Sequence, residues 1–402
     1  MNVDAEVKLQ EQLEEANRQL QDSEARFRKM IDESIQGVAI VDAEGEILYI
    51  NRVFLDTLGF ESMEDCMRVP PQERMPPESL ELTRAHRAKR LSGEESPERY
   101  RHEIYRKDRS RVWVETLAHA IEWEGHPAVQ VNIMDVDAEV RSRKKLEAAN
   151  ELMTMGVGYG SRIQQALLPR TEDIQAAFRA FEVSWEPRDV VSGDFYWFHR
   201  DGAKAWLMLG DCTGHGVPGA FMSLISLTVL DRIAYEGRVT DPAGMLEELG
   251  LLLRKSLGLD RPDAETDDGL DASFCCFDSE AGAVTYSGKI LPLYRLRGGG
   301  LEVIKGERGS VGYHTPDHEK PFTNHTLDLQ AGDRFVLISD GFVDQVCETT
   351  GRMYGPKRFR KKLAEHASLP VPELMRALLD DHAAEQGTHT RRDDLTLMAL
   401  EV

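Results

Sequence analysis

The sequence has few cysteines, no long apolar run and no excess of basic charge. Its 402 residues include five cysteines (Cys66, Cys212, Cys275, Cys276, Cys347), an odd number without zinc-ligand spacing, which favours reduced thiols. No run approaches the roughly 18–20 apolar residues that span a bilayer, and residues 1–6 have neither the basic nor the apolar segment of a signal peptide. We therefore expect a cytoplasmic protein without a membrane span.

The charge balance narrows the possible partners. The chain has 70 acidic and 49 basic residues, for a formal net charge of −21 at pH 7. Nucleic acids and anionic membranes both attract basic surfaces, so neither is an expected partner. The hydrophobic content of 41% is ample for packed cores, and the length predicts two or three domains.

Acidic motifs recur in the C-terminal half of the chain. They are Ser192-Gly193-Asp194, Gly210-Asp211-Cys212-Thr213-Gly214-His215-Gly216, Ser339-Asp340-Gly341 and Arg391-Arg392-Asp393-Asp394. Each follows or ends an apolar run, so each aspartate should lie at a strand end, where strands can converge. Converging carboxylates repel one another unless a cation holds them, and hard oxygen ligands select magnesium or manganese. The set suggests a binuclear metal centre, although each Asp-Gly pair alone is also ordinary turn chemistry.

Residues from about 160 to 402 resemble the catalytic domain of the metal-dependent PPM-type serine/threonine phosphatases, in the SpoIIE-like or RsbU-like bacterial branch. The segment 185–196 is similar to the opening motif of that branch, and residues 210–216 match its GD-x-x-GHG motif. The segments 339–341 and 393–396 match the remaining two motifs in order. The resemblance implies an α/β sandwich in which two antiparallel sheets are flanked by helices.

The resemblance also implies a ligand set for two Mn²⁺ or Mg²⁺ ions. Asp194, Asp211, Asp340 and Asp393 would be the side-chain ligands, with Asp211 as the bridge. Cys212 would ligate through its backbone carbonyl and not through its sulfur. Two such ions lower the pKa of a bridging water and clamp the phosphoryl oxygens for in-line attack, so no phosphoenzyme is needed.

Two further residues are candidates for catalytic work. His215 suits proton donation to the leaving serine or threonine oxygen, because an imidazole titrates near neutral pH. A structural histidine in a glycine turn is the alternative. Arg188 suits a bidentate contact with the substrate phosphate; its alternative is an ordinary surface arginine.

Additional carboxylates are candidates for supporting roles. Asp394 adjoins a predicted ligand and is expected to support it. The acidic stretch Asp267-Asp268-Gly269-Leu270-Asp271 precedes a predicted strand at 272–277. Asp268 and Asp271 are candidates for a third, weaker metal site, against the alternative of a solvated loop.

Strand and helix signals alternate in the N-terminal part of the chain. Residues 37–42 and 47–51 predict a β-hairpin around a turn at 43–46, followed by a helix at 53–60. Segments 105–108, 112–119 and 126–134 are predicted to continue the sheet. With this order of elements, the region of about 24–137 resembles a PAS domain. The sequence does not identify a PAS ligand, because no cysteine lies in a flavin-reactive motif and neither His86 nor His102 lies in a recognisable haem-binding motif. A domain that only dimerises is the alternative.

Helical segments flank the sensor region. Leu9, Leu13, Ala16, Leu20, Ser23 and Phe27 follow the spacing of a coiled coil. Leu146, Ala149, Met153, Gly156, Gly160, Ile163 and Leu167 hold the same spacing up to Pro169, which must stop the helix. Gly156, Gly158 and Gly160 make the second helix marginal, at about 1 kcal/mol each relative to alanine. We interpret this second helix as a switch that acts on the catalytic domain, with a flexible tether as the alternative.

These interpretations predict an α+β protein of four segments. They are an N-terminal coiled-coil helix (1–26), a PAS sensor (27–137), a helical linker (138–169) and a phosphatase domain (170–402). The resemblance implies hydrolysis of phosphoserine or phosphothreonine on a STAS-domain anti-sigma-factor antagonist, by a homodimer joined through the PAS and linker helices.

Two other functions are disfavoured by the sequence. An inactive scaffold that keeps the fold and binds the partner is disfavoured by the complete metal motifs. A PAS-linked histidine kinase would require a histidine-bearing dimerisation helix and a glycine-rich ATP lid, and neither follows the linker. The sequence identifies neither the PAS signal, nor the sign of regulation, nor the substrate protein.

Overall fold

The structure is a computed structural model that describes residues 3–237, 240–259, 268–312 and 322–402. The chain divides into two compact units, Met1–Glu151 and Leu152–Val402, and each is described by itself.

The first unit is built on an antiparallel sheet. Its described strands are β1 (Gly37–Val41), β2 (Ile47–Ile50), β3 (Arg99–Tyr105), β4 (Arg111–Trp123) and β5 (His126–Asp135), in the order β2-β1-β5-β4-β3. Its helices include α1 (Val3–Asp32), α2 (Arg52–Leu58), α3 (Met63–Met67) and α4 (Pro77–Ser92). Buried aliphatic side chains from the sheet pack against α2 and α3 to form the core.

The predicted hairpin and the helix after it are confirmed. β1 pairs with β2, with Ala39 opposite Ile50. Asn51 then begins α2, because its Oδ1 accepts hydrogen bonds from the Phe54 amide at 2.9 Å and the Val38 amide at 2.8 Å. Gly59 ends the helix with φ of 76°, a left-handed conformation that suits glycine.

The predicted strand at 105–108 is wrong. The strand is β3, which ends at Tyr105, and the following residues turn into β4. Asp108 Oδ1 accepts hydrogen bonds from the Ser110 amide and hydroxyl, and Arg109 has a φ of 65°. The aspartate therefore stabilises a turn at a position where extended chain was predicted.

The linker sequence forms one helix, α5 (Asp137–Leu167), which continues through all three glycines and ends before Pro169. A Cβ atom added at Gly156, Gly158 or Gly160 would have no neighbour within 4 Å. The glycines are therefore not required by packing, and their effect is on the stability of the helix.

The second unit contains two antiparallel sheets. One has the strand order β13 (His325–Asp328), β10 (Ala283–Lys289), β9 (Leu270–Asp278), β8 (Lys204–Cys212) and β7 (Asp194–Asp201). The other has the order β12 (Gly300–Ile304), β11 (Leu293–Arg297), β14 (Arg334–Ile338), β15 (Leu395–Glu401) and β6 (Ala180–Glu186). Its described helices are α6 (Thr171–Gln175), α7 (Gly216–Glu236), α8 (Pro242–Leu257), α9 (Asp340–Asp344), α10 (Gly355–Glu365) and α11 (Val371–Gln386).

Alternation along the strands builds the layers. In β8, Leu207 and Leu209 pack between the two sheets, whereas Trp206 and Met208 face α7 and α8. In β14, Phe335 and its alternate neighbours likewise face the space between the sheets, and the intervening residues face α9–α11. The result is the predicted sandwich, with helices on both outer faces and three apolar layers.

Helix α7 corrects the expectation that no segment approaches a membrane span. Among the described residues, Gly216–Glu236 is the one helix that is long and apolar enough to cross a membrane, with a mean hydropathy of 1.4. Its buried residues, which include Leu227, Leu230 and Ile233, pack on the sheet of β7–β10. Its apolar composition is that of a core helix.

Candidate metal centre

Strand pairing places aspartates side by side at one edge of the first sheet of the second unit. Asp194 begins β7 and lies opposite Asp211 on β8, which in turn lies opposite Asp271 on β9. Directly opposed residues point to the same face, with Cβ atoms about 4.5–5.5 Å apart. The sheet register therefore groups three carboxylates that are up to 77 positions apart in the sequence.

The second sheet brings further carboxylates to the same edge. Asp340 begins α9 directly after β14, and Asp393 lies two residues before β15. Gly341 permits this convergence, because a Cβ there would lie 2.0 Å from the Asp394 carbonyl oxygen. Thr396 joins the sheets by donating from Oγ1 to Asp194 Oδ2 at 2.7 Å.

Burial and mutual repulsion perturb these acids. Desolvation raises the pKa of Asp194 to about 8, and the charges of Asp394 and Asp340 add to the shift. Desolvation also raises the pKa of Asp340 to about 6, with Asp393 contributing. The pKa of Asp211 is raised well above its usual range by desolvation and by its acidic neighbours, Asp194 first. Each acid is thus destabilised in its charged form.

The residues fit a divalent cation. Asp194 is 1% exposed, and its Oδ1 is buried without a hydrogen-bond partner. The donor set consists of carboxylate oxygens, the ligands that magnesium and manganese prefer. Within the described ranges no group of three or more acidic, histidine or cysteine side chains has a geometry that could hold a metal ion as it stands. A cation would supply both the missing partner of Asp194 and the compensating charge.

Cys212 and Asp394 lie beside the cluster. Burial raises the pKa of the Cys212 thiol well above its usual range, which disfavours a thiolate ligand. Asp394 Oδ2 accepts from the Gly193 amide at 2.6 Å, and its Oδ1 accepts from the Arg188 amide at 2.7 Å. Asp394 therefore holds the loop before Asp194 against the loop before β15.

The side chains of the predicted catalytic residues, His215 and Arg188, are exposed. His215 is the residue before α7, and its Nδ1 lies 3.2 Å from Asp189 Oδ2. Both side chains are about half exposed, at 45% and 50%. The Arg188 side chain is exposed and donates from Nη1 to the Arg392 carbonyl at 3.0 Å. That contact places the guanidinium beside the loop that carries Asp393.

The carboxylates predicted for a third metal site, Asp268 and Asp271, are both among the described residues. Asp271 is half-buried next to Asp211 and accepts from Ser310 Oγ at 2.5 Å. Asp268 Oδ1 lies 3.5 Å from Thr213 Oγ1. Asp267, which was part of the same acidic stretch, lies outside the described residues.

Gln164 and Asp189 were missed as functional residues. Gln164 on α5 is fully buried; its Oε1 accepts from the Ser192 amide at 3.1 Å. Its Nε2 donates to the Ser192 carbonyl at 2.6 Å and to Ser223 Oγ at 2.7 Å. Nothing in the sequence distinguishes Gln164 from the neighbouring Gln165, and nothing in it pairs Asp189 with His215.

Comparisons with known proteins find relatives of this chain. The structure is similar to that of the SiaA-PP2C domain of Pseudomonas aeruginosa, with a TM-score of 0.57 and 31% identity over 63% of this chain and 99% of that chain. Phosphoserine phosphatase RsbU of Bacillus subtilis (strain 168) is 24% identical over 250 residues, which are 60% of this chain and 68% of RsbU.

The fold and site therefore define a PPM-type protein phosphatase domain preceded by a PAS domain, whose family model matches residues 25–136. The chain belongs to the SpoIIE family: the model described as "Stage II sporulation protein E (SpoIIE)" matches residues 201–402. The Ser192-Gly193-Asp194 motif precedes the matched segment, and strand pairing is what connects it to the rest of the site.

Replacing Gln164 by methionine should loosen the loop that carries Asp194. The change leaves the Ser192 amide buried without a partner, at a cost of about 1–3 kcal/mol, and its carbonyl with only the long contact of 3.4 Å from Ser223 Oγ. We expect a lower melting temperature of the second unit and weaker phosphatase activity. Gln165→Met, at the exposed neighbouring position, is the matched control; equal behaviour of the two variants would contradict the anchoring role.

Proposed function

We propose that this protein hydrolyses phosphoserine or phosphothreonine on a partner protein, with a water activated by two Mn²⁺ or Mg²⁺ ions. The observation that carries the proposal is the convergence of Asp194, Asp211 and Asp340 around a buried carboxylate oxygen without a partner. An inactive scaffold would have no need to retain so costly a cluster.

The proposed ligands are the side chains of Asp194, Asp211, Asp340 and Asp393 and the backbone carbonyl of Cys212. When bound, the two ions lower the pKa of a water and neutralise charge on the phosphoryl oxygens. Thr396 and Asp394 fix the Asp194 loop through the hydrogen bonds described above, so the ligands are held in position by the two sheets. Asp268 and Asp271 are proposed for a third, weaker site.

His215 is proposed to donate a proton to the leaving oxygen of the substrate. Its Nδ1 contact with Asp189 orients the ring and leaves Nε2 for the substrate. The half-exposed position suits contact with a protein substrate. Arg188 is proposed to bind the phosphate, since its guanidinium is held beside the Asp393 loop.

The proposed substrate is a phosphorylated STAS-domain protein. RsbU, to which this chain is similar, is named a phosphoserine phosphatase, and this supports a phosphoserine substrate. The net charge of −21 disfavours nucleic acid and anionic membrane as partners, and we place the protein in the cytoplasm.

The linker helix is proposed to act as a switch and to join two copies of the chain. Met153, Gly156 and Gly160 of α5 border an apolar space of about 290 Å³ whose opposite wall includes Val217 and Phe221 of α7. Because α7 begins beside His215, a change in α5 reaches this histidine through direct contacts. Met153, Ile163 and Leu167, at predicted heptad positions, expose 68%, 40% and 46% of their surface, which favours a partner helix.

The overall proposal is tested by assaying the purified full chain with Mn²⁺ on p-nitrophenyl phosphate and on a phosphoserine-containing STAS-domain protein. Turnover that requires the cation supports it. Binding of the phosphoprotein without turnover, in the presence of Mn²⁺ or of Mg²⁺, would instead support the scaffold alternative.

Asp211→Ala should abolish activity and also abolish the rise in melting temperature that Mn²⁺ produces in the wild type. The change removes the proposed bridging ligand of both ions, while loss of carboxylate repulsion should leave the metal-free fold intact. Asp201→Ala, at the opposite and exposed end of β7, is the control. Turnover above about a tenth of wild type at saturating Mn²⁺, which is a barrier change of only about 1.4 kcal/mol, would overturn the assignment.

His215→Ala should lower turnover of a phosphoprotein by about 10²-fold or more if the residue is a general acid. The loss should be smaller on an aryl phosphate, whose leaving group needs little protonation. Asp189→Asn should show a weaker form of the same substrate dependence. Equal losses on both substrates would indicate a structural histidine.

Replacing Gly156, Gly158 and Gly160 together by alanine should add up to about 3 kcal/mol of helical bias. A shift of that size changes a two-state equilibrium by about two orders of magnitude. We expect a phosphatase that is active and largely independent of the PAS domain, whereas Gly158→Pro should be less active. Specific activities are compared with and without residues 1–137, and equal rates for all full-length variants would show that the segment is a tether.

A further inference from the structure

The first unit encloses a cavity of about 120 Å³ between its sheet and α4. The sheet contributes an apolar wall that includes Ala39, Val129, Val131 and Ile133. Two polar side chains interrupt that wall, and they bond to each other: His102 Nε2 lies 3.0 Å from Thr116 Oγ1.

The opposite wall is basic. Thr83, Arg87 and Arg90 follow one another at spacings of four and three, so α4 turns them to one face, and all three line the cavity. In a helix packed on a sheet that face is ordinarily apolar. With Arg74 and Arg84, the cavity is lined by four arginines and by one acid, Glu44, in a chain that has more acidic than basic residues.

Two guanidinium nitrogens in the cavity lining have no hydrogen-bond acceptor. Nη2 of Arg74 and Nε of Arg90 are buried without hydrogen-bond partners. The Arg74 side chain is 9% exposed, and the Glu46 carboxylate lies 3.9 Å from its Nη2, beyond hydrogen-bond distance. Buried guanidinium donors without acceptors destabilise the fold.

The other contacts of these arginines show that they are held in place. Arg74 donates from Nε to the Val69 carbonyl at 2.6 Å. Arg87 donates to the Ala43 and Glu44 carbonyls at 3.0 and 3.1 Å, and Arg90 lies over the Tyr100 ring at 5.8 Å. Desolvation and the neighbouring Arg84 lower the pKa of Arg87, the direction expected for a cation short of compensating charge.

From these contacts we propose that the cavity binds a small organic carboxylate with an apolar body. Its carboxylate accepts hydrogen bonds from the arginines of α4 and from Arg74, and its apolar part packs against the sheet wall. A cavity of about 150 Å³ holds benzene, so this smaller cavity of about 120 Å³ takes a ligand of about five or six non-hydrogen atoms. The pairing of guanidinium with carboxylate selects the charged acid over a neutral molecule of equal shape.

The test is calorimetric titration of the full chain with propanoate and butanoate and with their neutral amides, propanamide and butanamide. We expect at least one acid to bind with a dissociation constant of about 1 mM or tighter, and its amide to bind about tenfold or more weakly. Equal binding of acid and amide would show a merely apolar pocket. Absence of binding by both acids would also overturn the proposal.

Variants then locate the site. Arg74→Gln and Arg90→Gln should each weaken binding of the acid about tenfold or more, which is a loss of about 1.4 kcal/mol. Arg101→Gln is the matched control, because Arg101 pairs with Glu115 and Glu139 on the outer surface of the sheet and does not line the cavity. Equal weakening by all three changes would contradict the assignment. Comparison of the acid with its amide on the wild type remains decisive if Arg74→Gln fails to fold.

Discussion

Repulsion among buried carboxylates is the constraint on which the second unit depends. Asp194, Asp211 and Asp340 all have raised pKa values, and desolvation is the first cause in each. Such a cluster is tolerated only in a framework that cannot relax away from it. The apolar layer between the sheets, with Leu207 and Phe335 at its centre, supplies that rigidity.

Gln164 connects the linker helix to this constrained site. Its amide bonds to both backbone groups of Ser192, two residues before Asp194, and these bonds are fully buried. A buried hydrogen-bond network of this kind has discrete states, because leaving some of its polar groups without partners costs free energy. The position of α5 and the geometry of the Asp194 loop are therefore coupled within the second unit, and this gives the proposed switch a physical basis.

The PAS unit concentrates positive charge around its cavity, whereas the second unit concentrates negative charge at its aspartate cluster. The cavity of the PAS unit gathers arginines where the candidate metal centre gathers aspartates, and both leave buried polar atoms unpaired. A ligand that satisfies Arg74 and Arg90 stabilises the conformation in which they converge. Such a ligand alters a conformational equilibrium only to the extent that it binds one state better than the other.

The sequence by itself determined the secondary structure around the site and the residue types within it. Apolar runs located β8 and β14, and the Asp-Gly motifs marked the strand ends, because both signals are local. The PAS hairpin followed from the same signals. The turn at 106–110 did not, since hydrogen bonds of Asp108 decided it.

Only the tertiary structure decided which residues meet. The pairing of Asp194 with Asp211 and Asp271 follows from sheet register, and the contact of Thr396 with Asp194 follows from how two sheets pack. The anchoring role of Gln164 and the basic cavity wall are likewise contacts between distant segments. Periodicity carries no information about such contacts, because the free energy that selects them comes from packing whole faces together.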